Sequence, residues 1–268
     1  MIGFFRKIRR KLADDNKPAK YFRYAIGEIA LVVIGILIAL QINNWNENRK
    51  DRILEIKILT EIKENLLNDF QDHNENTAFL SHVVASSQII LDHLNNDLPY
   101  QDSLATHFAW LPMAANFDPI NSGYELWLSE GVSIITNDAI RLGISKIYVQ
   151  KYKWLREFLK DRQYMNNQPL FLDMMKKFKN FEHLKRSVPR DYEGLKNDDD
   201  FKVLVQQNAF TINTTLNWYF GIMKKCNDLI KDLQVEIDRL ENNQAFATAM
   251  KSLIVVVITL IMIYELLT

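Results

Sequence analysis

From Ala25 to Ile42 the chain runs 18 residues in which only Glu28 and Gln41 are strongly polar. Tyr21, Phe22 and Tyr24 precede this run and Trp45 follows it, which puts aromatic rings at both ends, as at two membrane–water interfaces. The length suits a helix crossing a hydrocarbon core, so the pattern predicts a transmembrane helix over 21–45. No small-residue cleavage signal precedes "QINNWNE", so an uncleaved anchor fits better than a signal peptide. A second apolar run, Ser252–Tyr264, has 13 residues without a charge, bounded by Lys251 and Glu265. Those two charges are placed to snorkel, and a second transmembrane helix is predicted over 245–268.

Between these segments the periodicity becomes that of an amphipathic helix. Ile53, Ile56, Leu59, Ile62, Leu66 and Phe70 recur at spacings of 3 or 4, and Leu80, Val84, Ser87, Leu91 and Leu94 continue the stripe. No Gly or Pro occurs from Ile36 to Leu98, so the first span is expected to continue outward as one helix, with a break most favoured at Gln71–Asn76, where Asp and Asn are weak helix formers. Pro99, Pro112 and Pro119 punctuate a short helical piece over Gln101–Leu111 and a loop. "NSGYELWLSEG" (Asn121–Gly131) reads as a short helix, with Ser122 and Glu125 at capping-box spacing and Gly131 just past its end. A cap at Thr136 or Asn137 opens a long helix from Asp138 whose stripe is Ile140, Ile144, Ile147, Tyr148, Tyr152, Leu155 and Leu159. Pro169 is expected to end or kink it near Asn167, with a shorter piece running on to Phe178. Asn180–Asp200 reads as a polar loop, and the three acids of "KNDDDF" suit the N-terminus of the helix that follows. That last helix carries Ile222, Cys226, Leu229, Leu233, Ile237 and Leu240, close to a heptad pattern.

The expected fold is therefore all-α: two transmembrane helices flanking a long-helix antiparallel bundle, coiled-coil-like, with the helix from Asp138 as third member. The organisation predicted is a basic amphipathic segment over 1–20, a span over 21–45, a helical domain over 46–244 and a span over 245–268. Composition agrees, since Gly and Pro total only 14 of 268 residues, about 5% against a usual ~12%, too few for a turn-rich β architecture.

Charge adds orientation. The chain is neutral overall, but residues 1–23 hold eight Lys/Arg against two acids. The positive-inside tendency places this head in the cytoplasm, so both termini are expected inside and residues 46–244 outside. Arg6, Lys7, Arg9, Arg10 and Lys11 alternate with Ile2, Phe5, Ile8 and Leu12. These five cations are candidates for contact with the membrane surface, on a basic amphipathic helix or on a plain topogenic tail.

The search for chemistry finds little. No HExxH, GxSxG, P-loop or GxGxxG is present, and the five histidines lack metal-ligand spacing. They read as surface or interfacial residues. The single cysteine, Cys226, reads as a small packed hydrophobe. Trp127, Tyr148, Tyr152, Trp154, Trp218, Tyr219 and Phe220 read as core. No catalytic residue, metal site or cofactor is assigned, no small-molecule substrate is identified, and nucleic acid is not expected. Partners are expected to be membrane lipids and either further copies of the chain or a larger membrane complex.

Glu28 shares a helical face with Val32, Gly35, Ala39 and Ile42, and the second span offers Ala249, Ser252, Val256 and Thr259 at spacings of 3 or 4. Small residues permit close helix approach in a membrane, so these nine are the expected helix-packing seam.

"KYFRYAIGEIALVVIGILIALQINNWNE" (Lys20–Glu47) resembles the N-terminal signature of a family of uncharacterised membrane proteins from Bacteroidota. "GVSIITNDAIRLGISKIYVQKYKWL" (Gly131–Leu155) is similar to that family's middle block. The resemblance implies an inner-membrane protein with a helical periplasmic domain, and brings no reaction or catalytic residue with it. The leading expectation is a non-enzymatic scaffold, sensor or accessory subunit. The alternative is an ion-coupled or transport-associated subunit using the intramembrane carboxylate Glu28.

Overall fold

The computed structural model describes residues 18–166, 172, 173 and 175–267, with the side chains of some helical positions in 18–31, 162–166 and 254–267 excepted. The chain divides into two compact units, Met1–Leu54 and Glu55–Thr268. The described part of the first unit is helix alone, the opening portion of α1 (Pro18–Asn95). The second unit begins within α1 and continues through α2 (Leu104–Trp110), α3 (Ser122–Glu130), a 3-10 turn (Val132–Ile134) and α4 (Asp138–Ser145). A π-helical segment (Lys146–Tyr152) then leads into α5 (Lys153–Asn166). A β-hairpin of β1 (Phe178–Glu182) and β2 (Arg186–Pro189), the short α6 (Tyr192–Lys196) and α7 (Asp199–Leu267) complete it.

The described chain is predominantly helical, built on long helices. In the second unit α1 and α7 run antiparallel: Lys63 Nζ donates to Gln234 Oε1 at 2.9 Å, and further along His73 meets Tyr219 with ring centroids 5.0 Å apart. The α4–α5 helix is the third member, antiparallel to α7, with Gly143 against Leu229 and Trp154 against Trp218. Every residue of its predicted stripe is buried, as is every residue of the α7 stripe. On α1 most of the predicted stripe is buried, namely Leu59, Ile62, Leu66, Leu80, Ser87, Leu91 and Leu94, whereas Ile53 is exposed and Ile56, Phe70 and Val84 are half-buried. Ile58 and Val83 join this core, which is interleaved with polar residues.

Four local expectations are corrected. The break at Gln71–Asn76 is absent: Gln71 donates to Glu75 at 3.1 Å and Asn76 to Asp72 at 3.0 Å, both i,i+4 pairs that support a helix, and His73 is fixed in the core. The capping box at Ser122 and Glu125 does not form; Asn65 of α1 caps α3 instead. The helix from Asp138 is not α throughout, since its middle is the π segment. Asn180–Asp200 is not a plain loop but holds most of the hairpin and α6. Local propensity there is weak, and tertiary packing decides: Phe178 sits 5.3 Å from Phe108 and 6.2 Å from Phe201, in a cluster with Leu94, Leu104 and Leu195. The hairpin turn places Leu184 at a φ of 58°, and Arg186 of β2 binds both carboxylate oxygens of Asp102 at 2.7 and 3.1 Å.

Other caps stand where expected. Gly131, at a φ of 99°, ends α3, and Asn137 Oδ1 accepts from the Ala139 and Ile140 N–H groups. Asp198 Oδ1 accepts from the Phe201 N–H at the start of α7. The expected stop at Pro169 lies outside the described residues. Among the described residues no helix is long and apolar enough to cross a membrane.

Gly123 lies against the α1 backbone. A Cβ built there would stand 2.7 Å from the Ile62 nitrogen and 3.0 Å from the Glu61 carbonyl carbon, neither of which can swing away. Gly123→Ala is expected to destabilise the chain by about 1–3 kcal/mol, the usual range for overpacking. Gly221→Ala meets nothing within 4 Å and should be neutral or stabilising by up to ~1 kcal/mol, as for Gly replaced by Ala within a helix. Denaturant unfolding of both variants checks the contrast.

Candidate functional site

The segment linking α2 to α4 passes along the face of α1. Backbone groups that an irregular segment leaves unpaired need partners, and polar side chains of α1 supply several. Asn76 Nδ2 donates to the Asn116 carbonyl at 3.0 Å, and Asp69 Oδ1 accepts from the Ile120 N–H at 3.0 Å. Asn65 Oδ1 accepts from the Gly123 N–H at 2.9 Å and from Ser122 Oγ at 3.2 Å. Glu55 Oε1 accepts from the Thr136 N–H at 2.6 Å and from its hydroxyl at 2.9 Å. The positions descend on α1 as they ascend on the segment, so the four form an antiparallel ladder. Glu55, Asn65 and Asp69 are each buried.

Beside this ladder lies a cluster of buried titratable groups. His73 is fully buried, 4.3 Å by ring centroid from Phe117, 5.0 Å from Tyr219 and 5.9 Å from Tyr152. Among the described residues neither ring nitrogen has a hydrogen-bond partner, nor do Asp69 Oδ2 and the Tyr219 hydroxyl. Tyr152, the last residue of the π segment, pairs its hydroxyl with Cys226 Sγ at 3.3 Å. Tyr148, one turn earlier, stacks on Tyr124 at 4.7 Å and 4°, and donates to the Ile120 carbonyl at 3.4 Å. The His73 expectation is thus corrected: it is neither a surface nor an interfacial residue. His82 does lie at the surface, against Trp110 at 5.3 Å.

Burial sets the protonation states. It raises the Asp69 carboxyl to about 6, against the lowering pull of the Ile120 N–H and the Tyr152 hydroxyl. It lowers His73 to about 4 and pushes the Cys226 thiol up to about 12. Tyr148, Tyr152 and Tyr219 all move upward for the same reason. Near neutrality Cys226 is a protonated thiol and His73 a neutral imidazole. A buried thiol of this kind is inert as a nucleophile. Among the described residues no group of three or more His, Cys, Asp or Glu is placed to hold a metal ion.

Of the residues singled out in the sequence, Val32, Gly35, Ala39, Ile42, Ala249, Ser252 and Val256 are exposed on their helices. The side chains of Glu28 and Thr259, and Arg6, Lys7, Arg9, Arg10 and Lys11 entirely, lie outside the described residues. Trp127, Tyr148, Tyr152 and Tyr219 are core as expected, but Trp154 and Phe220 are exposed. The buried polar face of α1 was not anticipated. Its signal is present in the chain: Asn65, Asp69, His73 and Thr77 follow one another every four residues, continuing the row of Ile58 and Ile62.

Asn65→Ala leaves the buried Gly123 N–H unpaired and should cost about 1–3 kcal/mol in denaturant unfolding. The pH dependence follows from two opposed shifts. The folded Asp69 pKa is raised, so the native state binds more protons than the unfolded one between about 4 and 6, and stability rises as pH falls through 6. The folded His73 pKa is lowered, so the unfolded state binds more protons between about 6.5 and 4, and stability falls over that window. Each effect is about 3 kcal/mol in full, so the two nearly cancel. Asp69→Asn should make unfolding stability drop from pH 7 to pH 5, and His73→Phe should make it rise, both measured against the native chain.

No curated protein and no solved structure matches the chain. A family of unknown function (DUF6090) matches residues 28–168, a stretch that includes the whole polar ladder, His73 and the π segment and leaves the hairpin and α7 outside. That match covers more than half of the sequence, and the chain belongs to this family.

Proposed function

We propose that the chain is a non-enzymatic membrane-anchored scaffold or sensor, with helical spans over 21–45 and 245–268 holding a bundle, residues 46–244, on the periplasmic side of an inner membrane. One observation carries this reading. Between Ile29 and Ile42, α1 exposes Ile29, Val32, Val33, Ile34, Ile36, Leu37, Ile38, Leu40 and Ile42, from 47% to 64% each. Successive helical residues turn by about 100°, so these nine cover the whole circumference and not one stripe. A helix apolar all round needs an apolar surround on every side. On α7, Phe246, Met250, Leu253 and Val256 are likewise exposed. The basic head over 1–23 supports the orientation, and the likeness of Lys20–Glu47 to the Bacteroidota membrane-protein signature supports the compartment. The buried, inert state of the Cys226 thiol supports a role without catalysis, in which the bundle presents surfaces to partners.

Reporter fusions test the topology. Alkaline phosphatase joined after residue 195 should be active and the same enzyme joined after residue 268 inactive. The reverse pattern, or release of the chain from membranes by carbonate washing, would overturn the proposal.

A further inference from the structure

The π segment and α7 border an open groove of about 500 Å³, within the range of small-ligand sites. Its apolar surface is aromatic. Trp154 remains 44% exposed and stands edge-on to Trp218, with ring centroids 4.0 Å apart at 73°. Phe158 lies nearly parallel to Trp154 and perpendicular to Trp218, at 13° and 83°. The three rings brace one another, so Trp154 is held in a set orientation although it is exposed. Gly221 leaves open space beside them, since a Cβ there would meet nothing within 4 Å.

The rim is polar and of one sign. Gln150 and Asn217 bring amides, each with donors and an acceptor, and neither makes a side-chain hydrogen bond among the described residues. Lys151 and Lys225 bring two cations, neither in an ion pair among the described residues, and no acid lines the groove. From this we infer that the groove binds an anionic saccharide. The apolar C–H face of a pyranose lies against Trp154, its hydroxyls exchange hydrogen bonds with Gln150 and Asn217, and its carboxylate or sulfate meets Lys151 and Lys225.

Other occupants fit less well. A second copy docked symmetrically would bring each lysine against the same patch of its partner, setting like charges together. A helical peptide needs anchors at i, i+3, i+4 and i+7, but the groove offers apolar side chains only from Trp154, Trp218 and Ile222. A nucleotide matches the charge and the stacking, and the preference for a saccharide over it rests on the periplasmic placement proposed above.

The test uses the full chain in detergent, titrated with trigalacturonate, a sulfated disaccharide and sialyllactose, followed by tryptophan emission and calorimetry. At least one should bind saturably, with neutral galactotriose about tenfold weaker or more. Trp154→Ala should weaken binding by about tenfold or more. Lys225→Gln, at an exposed position that leaves folding untouched, should weaken it and flatten its salt dependence. Saturable binding by none of the three acidic saccharides would overturn the inference, as would equal affinity in both variants. Trp154-dependent binding of adenosine monophosphate or of an acidic amphipathic peptide, without saccharide binding, would overturn it too. The reporter fusions read topology alone, so a failure of the anchoring proposal is seen separately from a failure of the groove.

Discussion

The bundle depends on how the long connection between α2 and α4 is kept against α1 without stranding its backbone. A helix satisfies its own N–H and C=O groups, and an irregular segment does not. Here α1 gives up apolar area on its inner face to carry Glu55, Asn65 and Asp69, whose acceptors meet the N–H groups of Thr136, Gly123 and Ile120. Because the acceptors sit on a rigid helix, they fix the register of the segment as well as its chemistry. Gly123, at the start of α3, presses onto the α1 backbone while Asn65 holds its N–H.

The same inner face carries a cost. Among the described residues Asp69 has one oxygen engaged and one without a partner, and His73 has both nitrogens without one. Burial opposes the charged form of each. The aromatic walls from Phe117, Tyr152 and Tyr219 offer packing in place of hydrogen bonds. The outer surface is divided differently. Apolar side chains surround α1 over 29–42, whereas the bundle exposes Trp154 edge-on to Trp218 where α5 meets α7.

Much of this was legible from spacing. The stripes of the Asp138 helix and of α7 are core residue for residue, and the caps at Gly131 and Asn137 stand where turn chemistry places them. Apolar periodicity reports burial well where the buried face is wholly apolar. On α1 it found Leu59, Ile62, Leu66, Leu80, Leu91 and Leu94, all buried, but it could not show that the inner face also includes Asn65, Asp69 and His73, and it counted Ile53 and Phe70 in their place. The hairpin was illegible for another reason. Its strands are short and mixed in composition, and Phe178 is placed by Phe108 and Phe201, residues far off in sequence. The exposed Trp154 could not be told from a core tryptophan, since its helix position lies beside the buried row.

The π segment settles a mismatch of phase. In a regular α-helix, Ile140, Ile144 and Ile147 point one way, and Tyr148, Tyr152, Leu155 and Leu159 lie about 80° further round. The wider turn takes up one surplus residue and returns both sets to a common face, all seven buried. Lys146–Tyr152 is therefore a place where the length of the chain can change by one. Removing a residue there lets the helix close into ordinary α turns with the later row still inward. The same deletion within α5 would swing every residue beyond it round the axis, out of the core.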